Sequence, residues 1–421
     1  MRQVLDRSRR LVVASFAALV VSLMAGAPAA AQIDSARADS IRRAAAPTSR
    51  DTSGVQGSIY SRPFIGGVGQ TSIGGYAEAN TNYFVEDGIG DGFSMEFRRF
   101  NIFLFSALGP RIRFISELEF EHGVEEIALE TALLDFQVDP MLVLRAGILL
   151  PPIGAFNQNH DSPRWDFVDR PLVSTRIIPS TLSDVGFGAY GRVALRGGMT
   201  LTYDAYLTNG LGDGVVLNDE GRTLLAGGKR EDQFAEDNNG SPAASGRVAL
   251  QRRGLGEVGL SYYGGVYNSF RSEGVDVDER RGLSLAAIDV ATALGRLSVR
   301  GELATARVDV PENLAELFGE RQWGAHLDAV ATVWRPRVLG LRGATLNAGL
   351  RVEYVDYNVG TFSSTGRTIR DDVFALVPGV SFRPTAGTVF KANYRRHWTR
   401  DLLGNPTARL AGYQVGIATY F

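Results

Sequence analysis

The sequence predicts an all-β fold: a transmembrane antiparallel β-barrel of about 16 strands, an even number as single-chain bacterial barrels require. Three observations predict it. From Thr71 onward, segments of roughly 10–15 residues alternate between apolar and polar side chains, as barrel strands do. Short Gly/Pro turns and long polar loops alternate between these segments. The chain ends on a period-two strand closed by an aromatic residue, Phe421.

The amino terminus sets the compartment. Arg2, Arg7, Arg9 and Arg10 precede an apolar run from Leu11 to Ala25 and the small residues Ala29-Ala30-Ala31. That order is a secretory signal peptide, residues 1–31, too short for a membrane anchor. Without it, Lys+Arg falls to 40 and Asp+Glu to 45, a net charge of about −5. No basic stripe with interleaved aromatics is present, so nucleic acid is not an expected partner. No later stretch has the ~20 continuous apolar residues of a spanning helix. With no cysteine in the chain, packing and hydrogen bonds alone must hold the fold.

Residues 32–66 are rich in Ala, Ser, Arg and Asp and read as a polar, flexible leader. Within it, Tyr60-Ser61-Arg62-Pro63-Phe64 is a candidate to fold back toward the barrel mouth. The barrel domain is 67–421. Strands are expected at 71–85, 93–107, 111–121, 125–138, 141–149, 185–195, 199–208 and 244–252, then at 256–267, 282–293, 296–308, 322–335, 343–357, 371–382, 387–399 and 408–421. The connections after even strands are brief: Gly109-Pro110, Asp139-Pro140, Arg196-Gly197-Gly198, Leu294-Gly295. Those after odd strands (86–92, 150–184, 209–243, 268–281, 309–321, 358–370, 400–407) are mostly long and polar, with 122–124 the exception. Short periplasmic turns with longer external loops are the expected asymmetry.

Face assignment follows from energetics. In 343–357, Leu346, Leu350, Val352 and Tyr354 oppose Asn347, Arg351 and Glu353. In 111–121, Ile112, Phe114, Leu118 and Phe120 oppose Arg113, Glu117, Glu119 and Glu121. An Arg on the lipid face near the midplane costs about 2–4 kcal/mol, so the charged faces must point inward. An open sheet would strand its edge amides in lipid, so it must close. A barrel this wide encloses an aqueous channel. The expected pore-lining wall is Arg99, Arg113, Glu117, Glu119, Arg145, Arg192, Arg300, Glu302, Arg351, Glu353, Lys391 and Arg395. Tyr354, Tyr394, Trp398, Tyr413 and Tyr420 are expected in an aromatic girdle at the headgroups. Tyr413, Val415, Ile417 and Phe421 share the apolar face of the last strand. That pattern resembles the terminal signal read by the barrel-assembly machinery.

The connection 150–184 contains five Pro and charges of both signs. A loop this long without secondary structure is usually functional. Phe97-Arg98-Arg99, Glu117-Leu118-Glu119-Phe120-Glu121, Leu144-Arg145-Ala146-Gly147 leading into Pro151-Pro152, and Arg170-Pro171-Leu172-Val173 closing on Gly186-Phe187-Gly188 occur in order. Together they resemble the phosphate-selective porin O and P family in its broad sense, most closely over 93–195. The resemblance implies a sixteen-stranded outer-membrane channel, usually trimeric, with the third external loop folded inward as a constriction. Arg164, Asp166, Asp169, Arg170 and Arg176 are then the candidates to set the narrowest point, or else to hold the loop to the wall. The chain departs from the family in its lysines: only Lys229 and Lys391 are present, without a basic cluster. Mixed inward charge argues for a weakly selective pore, with anions such as phosphate as the sharper alternative.

Catalytic motifs are missing. His122, His160, His326 and His397 stand in no G-x-S-x-G or H-E-x-x-H setting. The acidic clusters of loop 209–243 lack calcium-loop spacing and read as solvated surface. No enzyme activity, cofactor or metal is expected. Expected partners are outer-membrane lipid and lipopolysaccharide, small hydrophilic solutes and two further copies of the chain. A non-conducting structural or adhesive barrel and a barrel enzyme are the alternatives.

Overall fold

The computed structural model describes residues 54–421 apart from 65, 69, 124, 231, 338–339 and 342. The expected signal peptide and most of the leader lie outside the described residues. A closed ring of 16 antiparallel strands forms the body. In chain order these are β1 (Thr71–Glu86), β2 (Ile89–Ala107), β3 (Ile112–Glu121), β4 (Glu126–Asp139), β5 (Leu142–Leu149), β6 (Asp184–Ala194), β7 (Met199–Thr208) and β8 (Ala243–Arg252). They continue as β9 (Gly256–Val266), β10 (Gly282–Leu294), β11 (Leu297–Val308), β12 (Arg321–Trp334), β13 (Thr345–Asp356), β14 (Asp372–Thr385), β15 (Thr388–Arg400) and β16 (Ala408–Tyr420). Each strand pairs with its sequence neighbours. β16 closes on β1, from Leu410 opposite Glu86 to Tyr420 opposite Tyr76. Phe421 completes the seam: it exchanges backbone hydrogen bonds with Gly75 at 3.0 and 3.1 Å and stacks on Phe100 at 5.2 Å.

Every expected strand is present, with ends displaced by at most a few residues. The first external loop is the main departure. Instead of a loop over 86–92, Asp87-Gly88 alone turns the chain, both with positive φ (47° and 90°). That is the two-residue turn whose twist suits a hairpin, and it lets β2 run on to Ile89.

The alternation sorts the two faces as the energetics require. Leu134, Leu144, Phe187, Val258, Leu260, Ile288, Leu327, Leu350 and Phe390 are each at least 43 % exposed on the outside. Ring pairs Trp323–Tyr354, Phe374–Trp398, Tyr394–Tyr413 and Tyr83–Phe93 cluster toward the external strand ends. Tyr420 is a correction: its hydroxyl donates to Asp161 at 2.8 Å inside the barrel. Its parity, shared with buried Gln414 and Ala418, excludes it from an outer girdle.

Two β-bulges matter inside. On β2 the register slips between Phe97 and Arg99, and on β4 between Leu129 and Thr131. Each inserts one residue, so neighbours that would face opposite ways both reach the lumen. Arg98 and Arg99 gain inward partners this way, as does Glu130 beside Thr131.

The lumen is filled rather than open along much of its height. The connection between β5 and β6, residues 150–183, folds inside, as does much of 209–242 after β7. Ile153, Val173, Ile177, Ile178 and Leu182 of the first pack with Leu211, Val215 and Leu225 of the second. Their partners on the wall are Tyr263, Leu285, Ala287, Ala304, Ala306 and Val355. The reading of 209–243 as solvated surface is therefore corrected: its leucines and valines close an apolar core against small wall residues. Apolar area leaving water contributes about 25 cal/mol per Å², and this core is what seats the two loops.

Candidate functional site

The site is the middle of the lumen, where three things meet: the charged wall, loop 150–183, and residues 54–64. The last enter from the periplasmic side, after the strand Gly66–Val68 has paired back on Thr71–Ile73. Ser58–Tyr60 forms a single 3-10 turn, and Val55, Gln56, Ser58, Ile59 and Arg62 are buried. This corrects the flexible-leader reading for those residues. Their path crosses the barrel from Phe64, 5.8 Å ring to ring from Phe105 on β2, to Val55, whose amide donates to Glu257 of β9 at 3.3 Å. On the way, Tyr60 hydrogen-bonds to Asp135 and to Tyr190 and accepts from Arg145 at 2.7 Å. Gln56 donates to Asp204 at 3.0 Å.

The expected pore wall is inward-facing, and most of it is tied to neighbouring wall residues or to the segments folded inside. Arg351 chelates Asp328 at 2.7 and 2.8 Å and donates to the Asp169 carbonyl at 2.7 Å. Glu353 accepts from the Leu172 amide at 2.7 Å and from Arg395 at 2.8 Å. Glu302 accepts from the Ala155 amide and Ser174. Lys391 donates to the carbonyl and hydroxyl of Ser162, each at 2.9 Å. Arg145 holds Asp135, Arg99 is tied to Glu78, Glu119 and Glu121, and Glu117 and Glu119 accept from Asn101. Arg113 donates to Gln137 at 2.9 Å. Arg113 and Arg192 both border a small cavity beside Tyr60. A buried charge survives only when paired and hydrogen-bonded, and the pairs here come from neighbouring wall strands and from the segments folded inside.

The loop candidates divide in the same way. Asp169 accepts from Arg98, Arg395 and Gln414, and Asp166 from Arg383 and Ser381. Arg164 donates to Tyr420, Asn159 and the Ser58 carbonyl. Arg170 donates to Thr181 at 3.0 Å. Arg176 lies apart, 41 % exposed and paired with Glu220 at 2.8 Å, so it ties the two inner loops at the outer surface. Arg164, Asp166 and Asp169 thus fix loop 150–183 to its surroundings, while Arg170 braces it from within.

The sequence reading named both members of Arg395–Glu353 and Arg99–Glu119 but missed the partners of several other wall residues. Arg62, Asp135, Asp161 and Glu130 are as buried as any wall residue. Parity would have placed Asp135 inside, and Arg62 stands in the segment 60–64 expected to fold back toward the barrel mouth, though nothing there names its carboxylate partners. His160 sits at the centre, with Nε2 3.1 Å from Glu130 and Nδ1 2.9 Å from the Asn157 carbonyl. Burial opposes its charge, but the Glu130 and Glu117 carboxylates outweigh that and raise its pKa to about 10. For Asp161, burial is again outweighed, here by Arg62 and Arg164, and its carboxyl is held well below the usual range.

Two chemical alternatives can be tested on this geometry. Glu117, His160 and Asp161 offer ligand atoms within 4.8 Å of one another. Arg62 already bridges the two carboxylates at 2.7 Å each, occupying the position a cation would take. Ser162, between Lys391 and Glu78, has the makings of an activated hydroxyl. The adjoining cavity holds only about 10 Å³, the space of a water and not of a substrate.

Larger spaces lie at the two ends. A cavity of about 600 Å³ at the periplasmic end is bordered by Arg164, Arg296, Arg300 and Arg383, with Asp166 and Glu257 as its acids. One of about 800 Å³ between the last two external loops is bordered by Arg367, Arg370, Arg400 and Asp401. Arg296 and Arg300 form no ion pair among the described residues.

Solved structures with this fold are outer-membrane proteins. The chain is similar to OmpT of Vibrio cholerae, at 12 % identity and a TM-score of 0.51, over 85 % of this chain and 100 % of that one. It is similar to the outer-membrane channel DcaP of Acinetobacter baumannii, at 10 % identity and a TM-score of 0.52, over 83 % and 97 %. The anion-selective porin from Comamonas acidovorans matches at 14 % identity and a TM-score of 0.50, over 83 % and 99 %. At these identities the likeness is one of fold. An uncharacterized protein of Aquifex aeolicus is 36 % identical over 148 residues, 33 % of this chain. The match spans about 32 % of that relative's length. No family model matches the chain, so the resemblance to the O and P porins rests on its motifs alone. The fold and its neighbours place the protein in the bacterial outer membrane.

Proposed function

We propose that this barrel is a porin: a passive channel for small hydrophilic solutes and ions, narrowed by loop 150–183 and by residues 54–64. The observation that carries this is the sorting of charge. Arg99, Arg145, Arg351 and Arg395 all turn inward on a closed 16-stranded sheet whose outside is apolar. Those four are sealed in ion pairs, but Arg300 and Arg383 on the same inward face border the cavity of about 600 Å³, where water and ions can meet the charge. The porin-like neighbours support a channel role.

Anions are the favoured solutes. The borders of both end cavities carry more arginines than acids, and a charged mouth concentrates counter-ions. That follows the O and P resemblance and the anion-selective neighbour in direction, without a lysine cluster to single out phosphate. The chain is secreted by its signal peptide, assembles through its last strand, and forms a homotrimer, a state that a trimer form of the Vibrio cholerae OmpT supports. It is non-catalytic in this reading; the cramped surroundings of Ser162 argue the same way.

Reversal potential under a KCl gradient, with phosphate added to one side, tests the proposal. An anion-directed potential is expected. A cation-directed one contradicts the anion preference. Folded protein that inserts without permeating sugars or ions in liposome swelling contradicts the channel, and favours a structural or adhesive barrel.

A further inference from the structure

We propose that the lumen carries a binding pocket for guanidinium-type solutes, and that Arg62 occupies it as a tethered ligand. The walls belong to the barrel and its loop: Phe103 on β2, Glu117 on β3, and Asp161 on loop 150–183. The occupant belongs to residues 54–64. Arg62 donates from Nε and Nη2 to the two oxygens of Asp161, at 3.1 and 2.7 Å, and from Nη2 to Glu117 at 2.7 Å. Its guanidinium carbon lies 4.0 Å from the centre of the Phe103 ring. Two carboxylates in the plane of a cation and an aromatic face against it are how a planar, weakly hydrated cation is recognised.

The pocket does not depend on Arg62 for its shape. Asn101 orients Glu117 by a hydrogen bond of 2.7 Å, and Tyr420 orients Asp161 at 2.8 Å. Remove Arg62, and Glu117, Asp161 and Glu130 face His160 and Arg164 with one cation too few. Arg62 Nη1 is itself buried without a partner, so the pocket supplies no acceptor there and a cation lacking that donor loses no hydrogen bond. Hydrogen bonds and packing, and no covalent link across the lumen, hold residues 54–64 in place. A soluble cation of the same shape therefore competes with Arg62 on equal chemical terms, against an effective concentration of order mM for a short tether.

This inference rests on the channel reading in one respect: a solute must reach the pocket. Calorimetric titration of folded, detergent-solubilised protein with methylguanidinium chloride, against KCl at equal ionic strength, tests the pocket apart from conduction. Arg62→Ala is expected to bind the probe saturably and wild type at least about tenfold more weakly, since its own arginine competes. Adding Asp161→Asn to Arg62→Ala is expected to abolish binding. No saturable binding to Arg62→Ala, equal binding by wild type, or unchanged binding with Asp161→Asn overturns the proposal. Should Arg62→Ala fail to fold, refolding yield with methylguanidinium replaces the titration: rescue over KCl supports the pocket and no rescue overturns it. If binding holds and no variant conducts, the channel reading fails and the pocket stands.

Discussion

His160 shows how much depends on single side chains inside this barrel. Its ordinary pKa near 6.5 is raised to about 10 by Glu130 and Glu117, so its bound proton stabilises the folded lumen. A raised pKa gives stability that is fully present below about 6.5 and is lost as pH rises through about 10. Protease protection of loop 150–183 is therefore expected to fall between those values, and His160→Gln to remove that part of the pH dependence. Equal profiles for both proteins contradict the pairing. Asp169 has the opposite sign. Burial opposes its ionisation, but Arg395 and Arg98 hold its carboxyl well below the usual range, so its contribution is lost as pH falls through the acid range. Arg351→Ala strands Asp328 in the interior and is expected to cost about 3–5 kcal/mol, read as a lower melting temperature. At this scale the sequence was half legible. Period-two parity turned Arg351, Glu353, Lys391 and Arg395 inward correctly. It could not name their partners in loop 150–183, Asp169, Leu172 and Ser162, because these lie far along the chain, in a segment without periodicity.

At the scale of elements, the strands were readable because lipid on one side and charge on the other impose a strict alternation. The bulges at Arg98 and Glu130 were not, since one extra residue in a strand leaves no local mark. Loop 150–183 folds inward as the resemblance implies, whereas loop 209–242 was misread, for a different reason. Val173, Ile177, Val215 and Leu225 are scattered among polar residues, and their apolar character shows only once the small residues Ala287, Ala304 and Ala306 meet them. Val173→Asp places an unpaired charge in that core, at a cost of several kcal/mol. The barrel is expected to keep its heat-modifiable migration while loop 150–183 becomes protease-sensitive and conductance rises. Loss of the folded barrel would mean that the loop is integral to the sheet's stability. Phe421 belongs here too. Its stacking on Phe100 and its bonds to Gly75 close the last seam, so Phe421→Ala is expected to lower the yield of assembled barrel in cells. Unchanged yield would remove Phe421 from assembly.

For the whole molecule, closure of the sheet follows from the physics of lipid: every strand edge must be paired, and β16 meets β1 along its length. An open channel does not follow from closure. The expectation of a water-filled lumen came from the inward charges and the barrel width, whereas the chain adds loop 209–242 and residues 54–64 to the inward loop that the resemblance implies. What remains open among the described residues is an arginine-bordered cavity at each end, one of about 600 Å³ and one of about 800 Å³. The central claim is that this filled barrel still conducts, and single-channel recording in planar bilayers tests it most directly. The account predicts discrete, small conductance steps for wild type and larger steps for Val173→Asp, at unchanged salt. Silent membranes with both proteins, each verified as folded and inserted, would contradict it.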